Sequence, residues 1–133
     1  MLGASVNYTI LISSSPFQGN QHQLAMRFIR ATLESDHSIK RIFFYGDAVL
    51  AANRFQTPPQ GQKSIAQSWA ELAEEISIPL RACIANSVRR GIVDEREAER
   101  YNLGPSSIHP SFTLTGLGEM TEVIHDSEKM VQF

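Results

Sequence analysis

The chain has 133 residues, of which 42% are hydrophobic and 20% are charged, and its formal net charge is -2. This composition fits one globular domain over residues 1–133 and excludes a disordered or fibrous chain. The near-neutral charge also argues against direct binding to nucleic acid, which requires a dense basic face.

The lack of a recognisable targeting signal and the cysteine content indicate the cellular compartment. Residues 1–8 lack the basic and long apolar regions of a secretory signal, and no apolar run approaches the roughly 20 residues of a membrane span. The single cysteine, Cys83, cannot form an internal disulfide, which is compatible with a reducing environment. We therefore expect a cytoplasmic protein without a membrane partner.

The first part of the chain predicts a strand, a helix and a second strand. Residues 8–12 form a short apolar run that leads into the turn formers of residues 13–19. Helical spacing without an internal glycine or proline predicts a helix over residues 20–34. Residues 39–45, rich in β-branched and aromatic side chains, predict a strand buried on both faces. The helix should pack against the sheet through Leu24, Phe28, Ile29, Ala31 and Leu33.

The middle of the chain contains the clearest helical pattern. Residues 47–53 predict a short helix capped by Asp47. Residues 63–77 predict a longer helix with its glutamates on the solvent side, and residues 78–85 predict a third strand. The side chains expected to face inward on the longer helix are Ile65, Trp69, Leu72, Ala73 and Ile76.

The last part of the chain predicts two helices and two strands. Asp94 with Glu97 three residues later resembles a capping box and predicts a short, solvated helix that ends near Tyr101. Residues 112–115 and 129–133 predict strands on either side of a helix over residues 117–125. The side chains expected to face inward on that helix are Leu117, Met120, Val123 and Ile124.

Strands that alternate with helices imply right-handed crossovers between parallel strands. We therefore predict a single-domain α/β fold with a mostly parallel sheet of about five strands and helices on both faces. No internal repeat or long flexible stretch divides the chain.

Cys83 is the best indication of function. It lies near the end of the apolar run of residues 78–85, where that run gives way to a polar stretch. A strand followed by a helical turn would place its thiol at the carboxyl edge of the sheet, where open α/β sheets hold their ligands. Amide groups of that turn and the cations of Arg89 and Arg90 would favour the reactive thiolate. The alternative is that Cys83 is a small buried hydrophobic residue.

Other candidate sites are weaker. The loop of residues 13–19 has the position of a phosphate-binding loop but lacks both the P-loop lysine and the G-x-G-x-x-G spacing, so a turn is the simpler interpretation. Gly116-x-Gly118 is too short for a dinucleotide fingerprint and fits a tight strand-to-helix turn. No cofactor is therefore expected.

The histidines do not predict a metal site. They show no spacing typical of metal ligands, and none forms a pair with the cysteine in sequence. A Cys-His hydrolase would need a histidine folded beside Cys83, and His109 is the candidate that could reach it. The four histidines are His22, His37, His109 and His125.

Short motifs cover nearly the whole chain in a fixed order. The most specific is Cys83-Ile84-Ala85 followed by Arg-Arg-Gly-Ile-Val-Asp-Glu at residues 89–95. The others are Phe43-Phe44-Tyr45 with Ala52-Asn53, Thr57-Pro58, Trp69 with Leu72, residues 112–118, and Val131-Gln132-Phe133. In these residues the chain resembles the small DsrE-type sulfur-relay proteins, and within them the TusD-like sulfurtransferase subunits.

The resemblance implies a function and partners. It implies a sulfurtransferase with a persulfide-carrying cysteine at Cys83, an α/β sheet, and assembly with two related small subunits into a heterohexamer. An upstream protein would donate persulfide sulfur, and a downstream protein would accept it, in the relay for 2-thiouridine in the wobble position of tRNA. A related branch serves dissimilatory sulfur oxidation, and residues 131–133 favour the tRNA branch.

The number of cysteines also suggests a mechanism. A thiolate at Cys83 can take the outer sulfur of a donor persulfide and pass it to an acceptor thiolate. A nearby second thiol would instead release the sulfur as sulfide, so a lone cysteine suits a carrier. Two other hypotheses are a non-catalytic scaffold subunit of the same complex and a nucleotide-binding module that uses residues 13–19.

Overall fold

The computed structural model of the protein describes residues 4–126 and 128–133. The strands are β1 (Asn7–Ile12), β2 (Ser38–Phe44), β3 (Leu80–Cys83), β4 (Phe112–Thr115) and β5 (Lys129–Gln132). The helices are α1 (Gln21–Glu34), a 3-10 helix (Gly46–Ala52), α2 (Ile65–Ile76), α3 (Ile84–Arg89), α4 (Glu95–Arg100) and α5 (Leu117–Asp126). The predicted strands and helices are confirmed, with bounds that shift by a few residues.

The strands form one parallel sheet in the order β4-β3-β2-β1-β5. This confirms the predicted α/β fold with a parallel sheet of five strands. Because all strands of the sheet run the same way, their carboxyl ends meet at one edge, where ligands bind in folds of this kind. No helix in the described part of the chain is long and apolar enough to cross a membrane.

One face of the sheet packs against α1 and α2 to form the main core. Trp69 of α2 is fully buried, and its ring centroid lies 4.9 Å from that of Phe44 in an edge-to-face arrangement. The buried strand residues on this face include Ile10, Ile12, Ile42, Phe44, Leu80 and Ala82. The interpretation of Trp69 as a core residue is confirmed.

The opposite face contacts α5. Side chains alternate between the two faces of a strand, so Arg81 points away from Leu80 and Ala82. Its Nη1 donates to Glu119 Oε1 of α5 at 2.9 Å. Helices therefore lie on both faces of the sheet, as predicted.

The caps of α2 and α4 explain where these helices begin. Ser64 Oγ accepts a hydrogen bond from the Gln67 amide, and Asp94 Oδ1 accepts one from the Glu97 amide at 2.8 Å. These caps satisfy amides that have no partner within the helix. The capping function predicted for Asp94 is confirmed, but Glu97 is buried, so α4 is less solvated than expected.

The face of α1 that was predicted to pack against the sheet is not the face that the structure buries. Ile29 is buried and Phe28 is partly buried, but Leu24 is 38% exposed and Leu33 and Ala31 are exposed as well. The buried residues are His22, Ala25, Met26, Ile29 and Thr32. Two of these are polar, and their hydrogen bonds inside the fold offset the cost of burying them.

Two further local predictions need correction. Asp47 does not cap the 3-10 helix, because the residue at the cap is Tyr45 and it makes no side-chain cap hydrogen bond. Leu117 is 57% exposed and does not face inward. The predicted inward placement of Val123 and Ile124 lies outside the described side chains.

His22 joins α1 and α2 to the loop after β1. The Trp69 indole can only donate, so its 2.9 Å hydrogen bond to His22 Nδ1 requires the proton to be on Nε2. That Nε2 donates to the Ser14 carbonyl at 2.7 Å. The fold therefore holds His22 neutral, and burial lowers its pKa below the usual 6.5, although the Ser14 carbonyl acts in the opposite direction.

Stability is expected to depend on pH through this histidine. In the unfolded chain His22 takes up a proton near pH 6.5, whereas in the folded state it does so only at lower pH. The free energy of unfolding should be highest above pH 6.5 and should fall below it, by up to about 1.4 kcal/mol per pH unit. Urea unfolding between pH 5 and pH 8 measures this.

Two variants separate the contribution of His22. His22→Gln should lose much of the pH dependence, while His125→Gln, which changes an exposed histidine, should keep it. Burial also lowers the pKa of His109, so His109→Gln should remove a smaller part of the pH dependence of the unfolding free energy. An unchanged pH profile in His22→Gln would contradict the assignment.

Candidate functional site

Cys83 lies at the carboxyl edge of the sheet. It is the last residue of β3 and the residue at the N-terminal cap of α3, so the predicted strand followed by a helical turn is present. Its side chain is only 5% exposed. The thiol is therefore at the edge where α/β sheets place chemistry, but the protein around it covers most of its surface.

The turn after β2 packs beside Cys83 and α3. Gly46 takes φ +57°, a left-handed conformation that favours glycine, and begins the 3-10 helix. Its amide donates to Asn86 Oδ1 of α3 at 2.7 Å. The Asn86 side chain therefore connects the helix after Cys83 to the end of the neighbouring strand.

Removing that hydrogen bond should loosen the surroundings of Cys83. Asn86→Ala leaves the Gly46 amide without its acceptor, which should lower the free energy of unfolding by about 1 kcal/mol and raise the rate of alkylation of Cys83 by iodoacetamide. Asn86→Asp keeps an acceptor oxygen and serves as the control. Equal alkylation rates in Asn86→Ala and wild type would show that this contact does not control access to the thiol.

Arg89 and Arg90 were expected to favour the thiolate, and the contacts of the two side chains differ from each other. Arg90 binds the Asp47 carboxylate at 3.0 Å through Nε and the Asn86 carbonyl at 3.0 Å through Nη1. Its charge is thus offset by a carboxylate. Arg89 is exposed and lines a cavity of about 290 Å³ with residues of α3 and α4, among them Glu97.

The structure does not bring His109 to Cys83. The His109 ring packs against Phe112, the first residue of β4, and Phe112 pairs with Leu80 at the start of β3. Cys83 is at the other end of β3, about 10 Å along the strand. The Cys-His arrangement considered from the sequence is therefore absent.

The loop of residues 13–19 uses several of its polar groups for its own structure. The Ser13 amide donates to the Phe133 carbonyl at 2.8 Å, and the Phe17 amide donates to Ser15 Oγ at 3.1 Å. The Ser14 carbonyl accepts from His22. These contacts favour the interpretation of the segment as a turn. Among residues 4–126 and 128–133, no group of three or more His, Cys, Asp or Glu side chains could hold a metal ion.

Sequence reasoning missed one residue beside the thiol. Thr115, the last residue of β4, pairs with Cys83 in the sheet and is 3% exposed. Its Oγ1 is buried and has no hydrogen-bond partner. The predicted strand over residues 112–115 placed Thr115 at the carboxyl edge, but strand order, which sequence did not supply, makes it a neighbour of Cys83.

Comparison with known proteins agrees with this fold. The solved structure of the YchN protein of E. coli aligns with a TM-score of 0.73 over 96% of this chain and 99% of that one, at 22% sequence identity. This likeness concerns the fold alone.

Sequence comparison adds the family. The chain is 39% identical to a DsrE protein of Allochromatium vinosum over 96% of its own length and 98% of that protein. It is 35% identical to the sulfurtransferase TusD of Yersinia pestis, over 98% and 99% of the two chains. The model of the DsrE/DsrF-like family matches residues 6–133, and the chain belongs to that family.

Proposed function

We propose that the protein is a sulfurtransferase that carries sulfane sulfur as a persulfide on Cys83. The observation that carries the proposal is the position of the only cysteine, at the carboxyl edge of a parallel sheet and at the start of a helix. The sulfurtransferase name of the TusD relative supports the activity. No cofactor is required, because thiol exchange needs only sulfur atoms.

The proposed reaction proceeds in two exchanges. The Cys83 thiolate attacks the outer sulfur of a donor protein's persulfide, a new S–S bond forms on Cys83, and the donor's S–S bond breaks with its electron pair left on the donor cysteine. An acceptor thiolate then attacks the outer sulfur on Cys83 and regenerates the thiolate. Each exchange breaks one S–S bond and forms one, so no external oxidant or reductant is consumed.

The burial of Cys83 bears on how partners reach it. At 5% exposure the thiol offers little surface to a rigid globular partner. We therefore propose that the acceptor cysteine arrives on a flexible segment of the partner. We further propose that the chain works in the cytoplasm, in a heterohexamer with two related small subunits, between an upstream persulfide donor and a downstream acceptor.

The final acceptor pathway is proposed to be 2-thiouridine formation at the wobble position of tRNA. The similarity to TusD along nearly the whole chain supports this branch, while the similarity to DsrE favours the alternative of dissimilatory sulfur oxidation. Deletion of the gene in its host should abolish thiolated wobble uridine, measured by mass spectrometry of digested tRNA. Normal tRNA thiolation with impaired sulfur oxidation would support the other branch.

Intact-protein mass spectrometry tests the carrier step. The native assembly is exposed to a persulfide-loaded donor protein, and this chain should gain the mass of one sulfur atom that a thiol reductant removes. A properly assembled wild type that gains no sulfur would contradict the carrier function and favour the scaffold hypothesis.

A further inference from the structure

A buried hydroxyl without a partner lies beside Cys83. Among the described residues, five buried side-chain nitrogen or oxygen atoms have no hydrogen-bond partner, and Thr115 Oγ1 is one of them. Burying a hydroxyl without a hydrogen bond is unfavourable, and buried polar groups in folded proteins are normally paired. An unpaired hydroxyl next to a reactive cysteine suggests that its hydrogen-bond partner is present only in another chemical state of that cysteine.

The register of the sheet places the Thr115 side chain beside that of Cys83. Cys83 and Thr115 are paired residues of the parallel strands β3 and β4. Neighbouring strands lie about 4.8 Å apart, and side chains at paired positions leave the same face of the sheet. Thr115 and Cys83 are also the last residues of their strands, so both side chains lie at the carboxyl edge.

The length of a persulfide fits the spacing of the two strands. A persulfide extends the Cys83 side chain by one S–S bond of about 2.05 Å. The strand spacing is therefore compatible with contact between the added sulfur and a hydroxyl on the neighbouring strand.

We propose that the Thr115 hydroxyl donates a hydrogen bond to the outer sulfur of the Cys83 persulfide and retains it between donor and acceptor. The inference rests on the proposed carrier function. Hydrogen bonds to a charged atom are stronger than those between neutral groups, so the contact stabilises the anionic persulfide. In the sulfur-free protein the hydroxyl stays unpaired, as the structure has it.

A second unpaired hydroxyl provides the competing assignment. Ser87 Oγ is buried and has no partner, and Ser87 lies on α3 four residues after Cys83. Thr115 is favoured because the sheet register pairs it with Cys83, whereas Ser87 lies about one helical turn further along α3. The experiment therefore includes variants of both residues.

The experiment follows how long the loaded protein keeps its sulfur. The full chain is loaded with inorganic polysulfide, excess reagent is removed, and loss of one sulfur mass in the presence of a small thiol is followed by intact-protein mass spectrometry. Thr115→Val, which keeps the shape and removes the hydroxyl, should lose sulfur about tenfold faster than wild type. Thr115→Ser, which keeps the hydroxyl, should restore slow loss.

Two controls separate this function from a structural one. Thr113→Val changes an exposed threonine on the same strand and should behave as wild type. Loading should raise the melting temperature of wild type and Thr115→Ser but not that of Thr115→Val. Without sulfur, Thr115→Val should melt no lower than wild type, because it removes an unpaired buried group.

The outcomes are distinct. Equal sulfur retention by Thr115→Val and wild type would overturn the inference, as would fast loss from Ser87→Ala together with slow loss from Thr115→Val. Fast loss from Thr115→Ser, equal to that of Thr115→Val, would also overturn it. If wild type took up no sulfur at all, the carrier function would fail, and with it the inference.

Discussion

Cys83→Ser should abolish sulfur uptake while the protein keeps its fold. The only cysteine is removed, so no other side chain of the chain can hold a persulfide. Serine has nearly the same shape, and its hydroxyl is far less nucleophilic than a thiolate and cannot form an S–S bond with a donor. We expect the gain of one sulfur mass seen in wild type to be absent, and the transfer rate to the acceptor protein to fall to background.

Fold and assembly are the controls for this variant. A serine hydroxyl at a 5% exposed position should cost about 1 kcal/mol of unfolding free energy, which leaves most of a domain's stability in place. Circular dichroism and size-exclusion chromatography of the native assembly should match wild type. Cys83→Ala, which adds no polar group, should show the same loss of transfer with a different effect on stability.

The same variant distinguishes the carrier from a scaffold. In a scaffold subunit Cys83 only packs in the interior, and Cys83→Ser would leave sulfur flow through the complex unchanged. Unchanged flow in a correctly assembled variant would therefore remove the carrier proposal and assign the sulfur to another subunit. Loss of flow with an intact assembly would support the carrier.

Trp69→Ala should produce the largest loss of stability. Trp69 is fully buried, packs edge-to-face on Phe44, and donates its indole N–H to His22. Truncating a buried tryptophan leaves a cavity and typically costs about 3–5 kcal/mol, a large fraction of the stability of a domain. His22 Nδ1 is also left without its donor. Urea unfolding at pH 7.5 measures the change.

Two comparisons show where the loss comes from. Trp69→Phe keeps most of the ring packing and removes the hydrogen bond, so it should cost less than Trp69→Ala. Phe17→Ala removes an aromatic side chain that is 68% exposed and should change stability by less than about 0.5 kcal/mol. A loss below about 1 kcal/mol in Trp69→Ala would contradict the core function assigned to this residue.

Local sequence pattern predicted some helices better than others. On α2 the apolar spacing and the exposed glutamates agree, and the predicted inward face is confirmed. On α1 the apolar residues Leu24 and Leu33 suggested one face, but the fold buries the face that carries His22 and Thr32. The apolar pattern predicted the wrong face because it does not reveal the hydrogen-bond partners of buried polar residues. His22 bonds the Ser14 carbonyl and the Trp69 indole, and Thr32 bonds the Phe28 carbonyl.

The sequence alone determined that about five strands alternate with helices and that Cys83 lies near the end of one of them, because periodicity and turn formers are local properties of the chain. Only the tertiary structure decided what surrounds the thiol. Strand order brought Thr115 beside Cys83 and placed His109 at the other end of β3, while a long-range ion pair directed Arg90 to Asp47. Each of these contacts joins segments far apart in the sequence, and the order and register of parallel strands are set by packing over the whole domain.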